Sequence, residues 1–175
     1  MSGQNLTYSG NKEEYYVGTD YSYNLGWNTG YMRFYTYVIA GSGVFNKINY
    51  TNAGSPPYTV LMGWTSIGSQ AFQETALTSI EIPASVTEIG EKAFFYATSL
   101  ASVSFAAGSV LETIGNNAFQ NTAIASIIIP ASVTSIGRNA FTHVTPLTSV
   151  TFATGSVLET IGNSAFQSTR FTSIE

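Results

Sequence analysis

Few side chains in this sequence of 175 residues could do chemistry. It has no cysteine, which excludes disulfides, thiolate zinc sites and cysteine nucleophiles. The one histidine, His143, has no serine and carboxylate beside it to suggest a relay, and a single imidazole is a poor start for a metal site. Carboxylates remain, and paired carboxylates cleave glycosides when they sit roughly 5 to 9.5 Å apart. Glu112 and Glu159 are 47 residues apart, a spacing that recurs along the chain. If that spacing is two layers of a stack, the pair lies about 10 Å apart at ~4.8 Å per layer, and Glu81 and Glu175, at four layers, about 19 Å apart. Gly68, Gly90, Gly115, Gly137 and Gly162 each stand alone, without the G-x-x-x-x-G-K-S/T pattern that cradles phosphate. These residues point to no catalytic centre, metal or cofactor.

What holds these groups in place is a repeat. Residues 77–99, 100–123, 124–146 and 147–170 are four copies of one pattern. Residues 65–76 are the back half of another copy, and 171–175 open one more. Periods of 20 to 50 residues mean a solenoid or a similar array. Each copy opens on two apolar residues two apart: Ile80 and Ile82, Val103 and Phe105, Ile127 and Ile129, Val150 and Phe152. That alternation predicts a short strand. A second apolar pair ends just before a glycine, as in Val86, Ile89 and Gly90, where a sharp backbone turn is expected. Then comes x-x-Ala-Phe, read as a short helical turn whose phenylalanine (Phe94, Phe119, Phe141, Phe166) fills the interior. Pro83 and Pro130 end the opening strand in the 23-residue copies, and the 24-residue copies have Ala there and an extra Gly108 or Gly155. One copy cannot bury its apolar face alone, so neighbours must stack and the ends need caps.

The pattern L-x-x-I-x-I-P-x-x-V-x-x-I-G-x-x-A-F, matched throughout by residues 77–94, resembles the BspA-type leucine-rich repeats of bacterial and protist surface proteins. The resemblance implies a leucine-rich-repeat solenoid, a right-handed coil of short parallel strands with short helical turns. It also implies a cell-surface or extracellular setting and a role in binding or adhesion. The family often carries a cysteine three residues after the phenylalanine. Here Ala97, Thr122, Val144 and Thr169 take that place, as small interior residues.

Residues 1–60 differ, with ten tyrosines among recurrent glycines, while 61–175 hold the repeats. Residues 31–40 are the best strand candidate there and 58–62 a second. The segment is expected to cap the open end of the apolar ladder. Its sharper reading is an aromatic, glycan-binding platform of Tyr21, Tyr23, Trp27 and Tyr31.

In a solenoid, the exposed strand positions offer the extended surface for binding. Here they are Ser79, Ser102, Ser126, Ser149 and Ser173, with Glu81, Ser104, Ile128, Thr151 and Glu175 two residues on. The strip is hydroxyl-rich and nearly uncharged. Only 9% of residues are charged, the net charge is −4, and no Lys/Arg run exists to track phosphate or anionic lipid. Nucleic acid is therefore not an expected partner. The start of the chain has no apolar h-region and no stretch could span a membrane, so membrane insertion is not expected either.

Three functions compete. The first is a non-catalytic module that presents this face to a protein or glycan. The second is a structural spacer that associates end to end through the open edge at 171–175. The third is a glycan-acting hydrolase, which needs a closer acid pair.

Overall fold

The computed structural model describes residues 6–10, 13–17, 19–23, 32–46 and 58–170, with side chains described over 43–46 and 63–170. These residues form thirteen strands and no helix. The N-terminal part holds β1 (Leu6–Gly10), β2 (Glu13–Val17), β3 (Thr19–Tyr23), β4 (Met32–Phe45) and β5 (Tyr58–Ile67). Each repeat then adds a four-residue opening strand and a two-residue second strand. The opening strands are β6 (Ser79–Ile82), β8 (Ser102–Phe105), β10 (Ser126–Ile129) and β12 (Ser149–Phe152). The second strands are β7 (Glu88–Ile89), β9 (Thr113–Ile114), β11 (Ser135–Ile136) and β13 (Thr160–Ile161).

All pairing among the repeats is parallel, as a coil that rises one layer per copy requires. The second strands run as one ladder, Ile67↔Ile89↔Ile114↔Ile136↔Ile161. β5 spans both strand positions without a break, pairing Tyr58–Val60 with β6 and Ser66–Ile67 with β7. β4 lies parallel to β5, with Phe45 opposite Ile67, and so adds one more layer to the same sheet. β3 pairs antiparallel with β4, and β1 with β2. The strand expected at 58–62 lies within β5 and that expected at 31–40 within β4 from residue 32 on, residue 31 lying outside the described residues; residue 60 falls inside β5.

The interior is a stack of rings. Phe45, Phe72, Phe94, Phe119, Phe141 and Phe166 lie one above another, centroids 4.9 to 5.2 Å apart and planes within 18° of parallel. Trp64 packs edge-on against Phe45 at 5.2 Å and 83°, and both are fully buried. Among the described residues these two aromatics are the N-terminal end of the stack. Ala97 and Val144 are buried in the slot where the resembled family often has cysteine. Thr122, also buried there, donates its hydroxyl to the Phe119 carbonyl at 2.9 Å.

Two expectations need correction. The x-x-Ala-Phe segment is not helical. It is a run of hydrogen-bonded turns, Ala93 N–H to Gly90 O, Phe95 N–H to Lys92 O and Ala97 N–H to Phe94 O, each 3.1 to 3.2 Å. The residues between them donate to the next coil instead: Lys92 to Asn116 O at 2.9 Å, Phe94 to Ala118 O at 2.7 Å and Tyr96 to Gln120 O at 3.0 Å. Two residues per copy take positive φ, as Lys92 at 57° and Tyr96 at 54°, and no helix survives that.

The repeated glycines are the second correction. None of Gly68, Gly90, Gly115, Gly137 and Gly162 has a left-handed φ. The chain does turn there, each glycine carbonyl accepting from the residue three on, but space and not a left-handed φ excludes a side chain. A Cβ on Gly115 would lie 2.7 Å from the Gly90 carbonyl carbon and 2.8 Å from Glu91 N. Each of these glycines donates 2.6 to 2.7 Å hydrogen bonds to the previous coil, such as Gly115 N–H to Ile89 O.

Gly115→Ala should therefore cost about 1–3 kcal/mol through overpacking. Phe119→Ala, which removes a ring stacked on both faces, should cost about 3–5 kcal/mol. The half-buried Phe166 stacks on Phe141, and its change to Ala should cost clearly less. Urea unfolding of the three variants checks this order.

Candidate functional site

The opening strands put their first and third residues outward and the others into the core, so the exposed strip follows from strand geometry alone. Ser79 pairs with Ser102 and Glu81 with Ser104, across β6 and β8. Ser126 pairs with Ser149 and Ile128 with Thr151, across β10 and β12. Glu81, Ser102, Ser104, Ser126, Ile128 and Ser149 are exposed, while Ser79 and Thr151 are partly covered. Ser173 and Glu175 lie outside the described residues. Of the aromatic quartet, Tyr21 and Tyr23 lie on β3, opposite Phe34 and Met32. Trp27 and Tyr31 lie outside the described residues.

The strip is not continuous. β8 pairs with β6, and β10 with β12, but no hydrogen-bonded register joins β8 to β10. One local cause is in the chain. Ala106 donates to Ile82 O and Ala153 to Ile129 O, both at 2.9 Å, closing the last rung of their pairs. The residue at that place after β10 is Pro130, which has no N–H to give to Phe105. The hydroxyl of Ser132 bridges the coils farther on, reaching Ser109 O at 3.1 Å and Leu111 O at 2.7 Å.

A cleft of about 570 Å³ opens where the rungs are missing. Its walls are β8 and β10, and its far end is formed by the turns that follow them, carrying Gly108 on one coil and Pro130 and Ala131 on the next. No lining residue is charged. Ile128, 64% exposed, stands on one wall and the half-buried Phe105 on the other. This volume falls within the range of small-ligand sites, roughly 300 to 1,000 Å³. Reading the strip from its outward positions alone missed the cleft. The available signal was a proline-bearing 23-residue copy following a 24-residue one.

The other candidates gather nothing. Glu112 and Glu159 are both exposed and are separated by the coil carrying Thr134, with Thr134 N–H to Glu112 O and Glu159 N–H to Thr134 O each 2.9 Å. His143 is exposed at a left-handed turn position, φ 58°, shared with Tyr96, Asn121 and Ser168. Among the described residues no three His, Cys, Asp or Glu groups come together to hold a metal, and no helix is long and apolar enough to cross a membrane.

Residues 65–175 match, in six copies, the family model for the BspA type leucine rich repeat region. No curated protein matches the chain. Three solved structures share the architecture. The T. pallidum leucine rich repeat protein TpLRR is 25% identical with TM-score 0.62, over 78% of this chain and 63% of that one. The pneumococcal vaccine antigen PcpA is 22% identical with TM-score 0.58, over 96% of this chain and 43% of that one. A leucine-rich repeat protein from Eubacterium ventriosum is 22% identical with TM-score 0.51, over 69% and 40%. The chain therefore spans about two-fifths to three-fifths of the length of these relatives.

Supplying the missing donor tests the origin of the cleft. Pro130→Ala should let β10 pair with β8, so that the amide of residue 130 becomes protected and exchange at Ile128 slows at least about tenfold, as a closed rung demands. Amide exchange followed by NMR would show it, and an unprotected amide at residue 130 with unchanged exchange at Ile128 would mean that the proline does not hold the cleft open.

Proposed function

Since the chain belongs to the BspA-type leucine-rich-repeat family, we propose that it is a non-catalytic binding module acting at the cell surface, whose contact area is the opening-strand face centred on the β8/β10 cleft. The observation that carries this reading is the cleft itself. There the exposed face gains depth, and an exposed isoleucine stands on the wall. Flat Ser/Thr surface gives little grip, because binding energy concentrates where a side chain fills a desolvated pocket. A cleft supplies that. The fitting ligand is a neutral part of a protein or glycan, since no lining group offers a charge to pair.

Self-association as a spacer has an observation of its own. The last described coil leaves Ile161 45% exposed, whereas Ile89, Ile114 and Ile136 are buried at the same place in their copies.

The two readings separate by experiment. Ser104→Arg and Ile128→Arg should leave the thermal midpoint within a few degrees, as surface changes do. They should lower binding to a panel of immobilised glycoproteins and neutral glycans at least about tenfold, or 1.4 kcal/mol. Tyr96→Arg, on the turn face, should leave binding unchanged. If binding falls with Tyr96→Arg and survives Ile128→Arg, the strand face is not the contact area. A mass by light scattering that grows with concentration, and stops growing in Ile161→Lys, would favour the spacer.

A further inference from the structure

The unmade rungs and the narrowness of the cleft together limit what can occupy it. In a parallel pair, alternate residues turn their N–H and C=O groups to one neighbour and the residues between turn theirs to the other. On β8, Ser102 N–H reaches Thr78 O at 3.4 Å and Ala106 N–H reaches Ile82 O at 2.9 Å, so that phase faces β6. Val103 and Phe105 therefore turn their main-chain groups toward β10. On β10, the carbonyls of Ala125 and Ile129 accept from Thr148 and Ala153, both at 2.9 Å, so Ser126 and Ile128 turn theirs toward β8. No register joins the two rows. Yet the coils that carry them stay close, with Phe119 and Phe141 stacked at 5.1 Å and β9 paired with β11. Nothing as wide as another strand can enter between them. An occupant has to lie over the opening, on the outward face and against the turns that follow, and only slim groups can reach from it to the main chain below.

We propose that this opening takes an uncharged pyranose unit of a glycan. The inference rests on the opening-strand face being the contact area and names the ligand that face holds. Three features select a neutral sugar. The first is hydrogen bonding. The open main-chain groups include donors and acceptors, and a hydroxyl is a slim group that serves as either. A ligand that displaces water from such groups must reproduce water's hydrogen bonds or lose affinity. An aliphatic or aromatic side chain would cover them and leave them unpaired. The exposed hydroxyls of Ser102, Ser104 and Ser126 extend the polar row at the rim. The second feature is the apolar part of the lining. Ile128, Phe105 and Pro130 offer a surface for the C–H face that a pyranose ring carries beside its hydroxyls. The third is charge. No lining residue carries one, so a carboxylate or sulfate would lose water there and meet no cation. Sialic and uronic acids are thereby disfavoured, and neutral hexoses and N-acetylhexosamines fit.

The probes are the methyl glycosides of glucose, galactose, mannose, fucose, N-acetylglucosamine and N-acetylgalactosamine. Each is titrated into the isotope-labelled full chain up to about 10 mM, because a single ring makes few contacts and binds weakly. At least one should move the amide resonances of Val103, Phe105 and Ile128 saturably and leave those of the turn carrying Tyr96 in place. The methyl glycosides of glucuronic and galacturonic acid, the same rings with a carboxylate, should bind at least about tenfold more weakly than the best neutral sugar. Ile128→Arg should weaken that sugar by at least about tenfold while the thermal midpoint stays within a few degrees. A saturable response to none of the neutral sugars, equal binding of the uronic acids, or a response that survives Ile128→Arg overturns the proposal. N-acetyl-leucine amide or N-acetyl-phenylalanine amide moving the same amides, with the sugars inert, assigns the opening to a side chain of a protein partner. Where the sugars are inert, loss of panel binding in Ile128→Arg would still uphold the strand face as the contact area, so the two readings fail separately.

Discussion

The interaction on which the rest of the structure depends is the stack of phenylalanine rings through its centre. Six rings spaced 4.9 to 5.2 Å apart set the height of every coil. That height nearly equals the ~4.8 Å between hydrogen-bonded strands. Rings and rungs can then be satisfied together, layer after layer, with no accumulated mismatch. The glycine column enforces the same spacing from the backbone side, since a methyl group on Gly115 would collide with Gly90. A coil can change its length only where neither column passes. The turn between the two strands is such a place, and the extra Gly108 and Gly155 sit there with φ of 75° and 82°.

The same height explains why the turn side is not helical. Packed helices stand about 8–10 Å apart, roughly twice the coil spacing, so helices in consecutive coils would pry the ring stack open. A run of tight turns is thin enough to stack at the coil height and still satisfies its main chain, half within the turn and half with the next coil. The cost is left-handed backbone at residues such as Lys92 and Ser164, of order 1–2 kcal/mol each for a non-glycine residue. Asn117, Asn121 and Asn139 lower it, because asparagine visits that region more easily. His143 holds one of these positions, and the sister residues Tyr96, Asn121 and Ser168 show that the place asks for a backbone conformation and no particular side chain.

What was legible in the sequence was whatever repeats locally. The period, the inward Ile80 and Ile82 and the outward Ser79 and Glu81 all follow from alternation inside a few residues. The turn segment was misread because apolar residues three or four apart fit a helical turn and a pair of linked turns equally well. Only the main-chain angles distinguish them. Gly90 and its equivalents were visible as invariant within the chain, but their reason lies 23 or so residues away, in the backbone of the coil beneath. Trp64 was invisible as part of the closure because it precedes the first recognisable copy, and only the pairing of β4 with β5 brings Phe45 beside it. The cleft was hidden for the same reason. It belongs to no copy and exists only between two.

That last point changes how near-identity among repeats should be read. The two 24-residue copies share 18 of 24 positions, which argues for a spacer if a binding site must be written in unusual residues. Ser104 and Thr151, or Gly108 and Gly155, hardly differ in chemistry, and β8 and β12 each pair fully with the strand before them, yet β8 stands open toward the strand after it. The open edge arises from order: a copy with the longer turn is followed by one whose strand ends in Pro130. The ring stack keeps these two coils in step at the centre, so the mismatch appears at the opposite face as unmade rungs. A repeat array can therefore place a site by alternating two coil lengths while keeping each coil's surface plain.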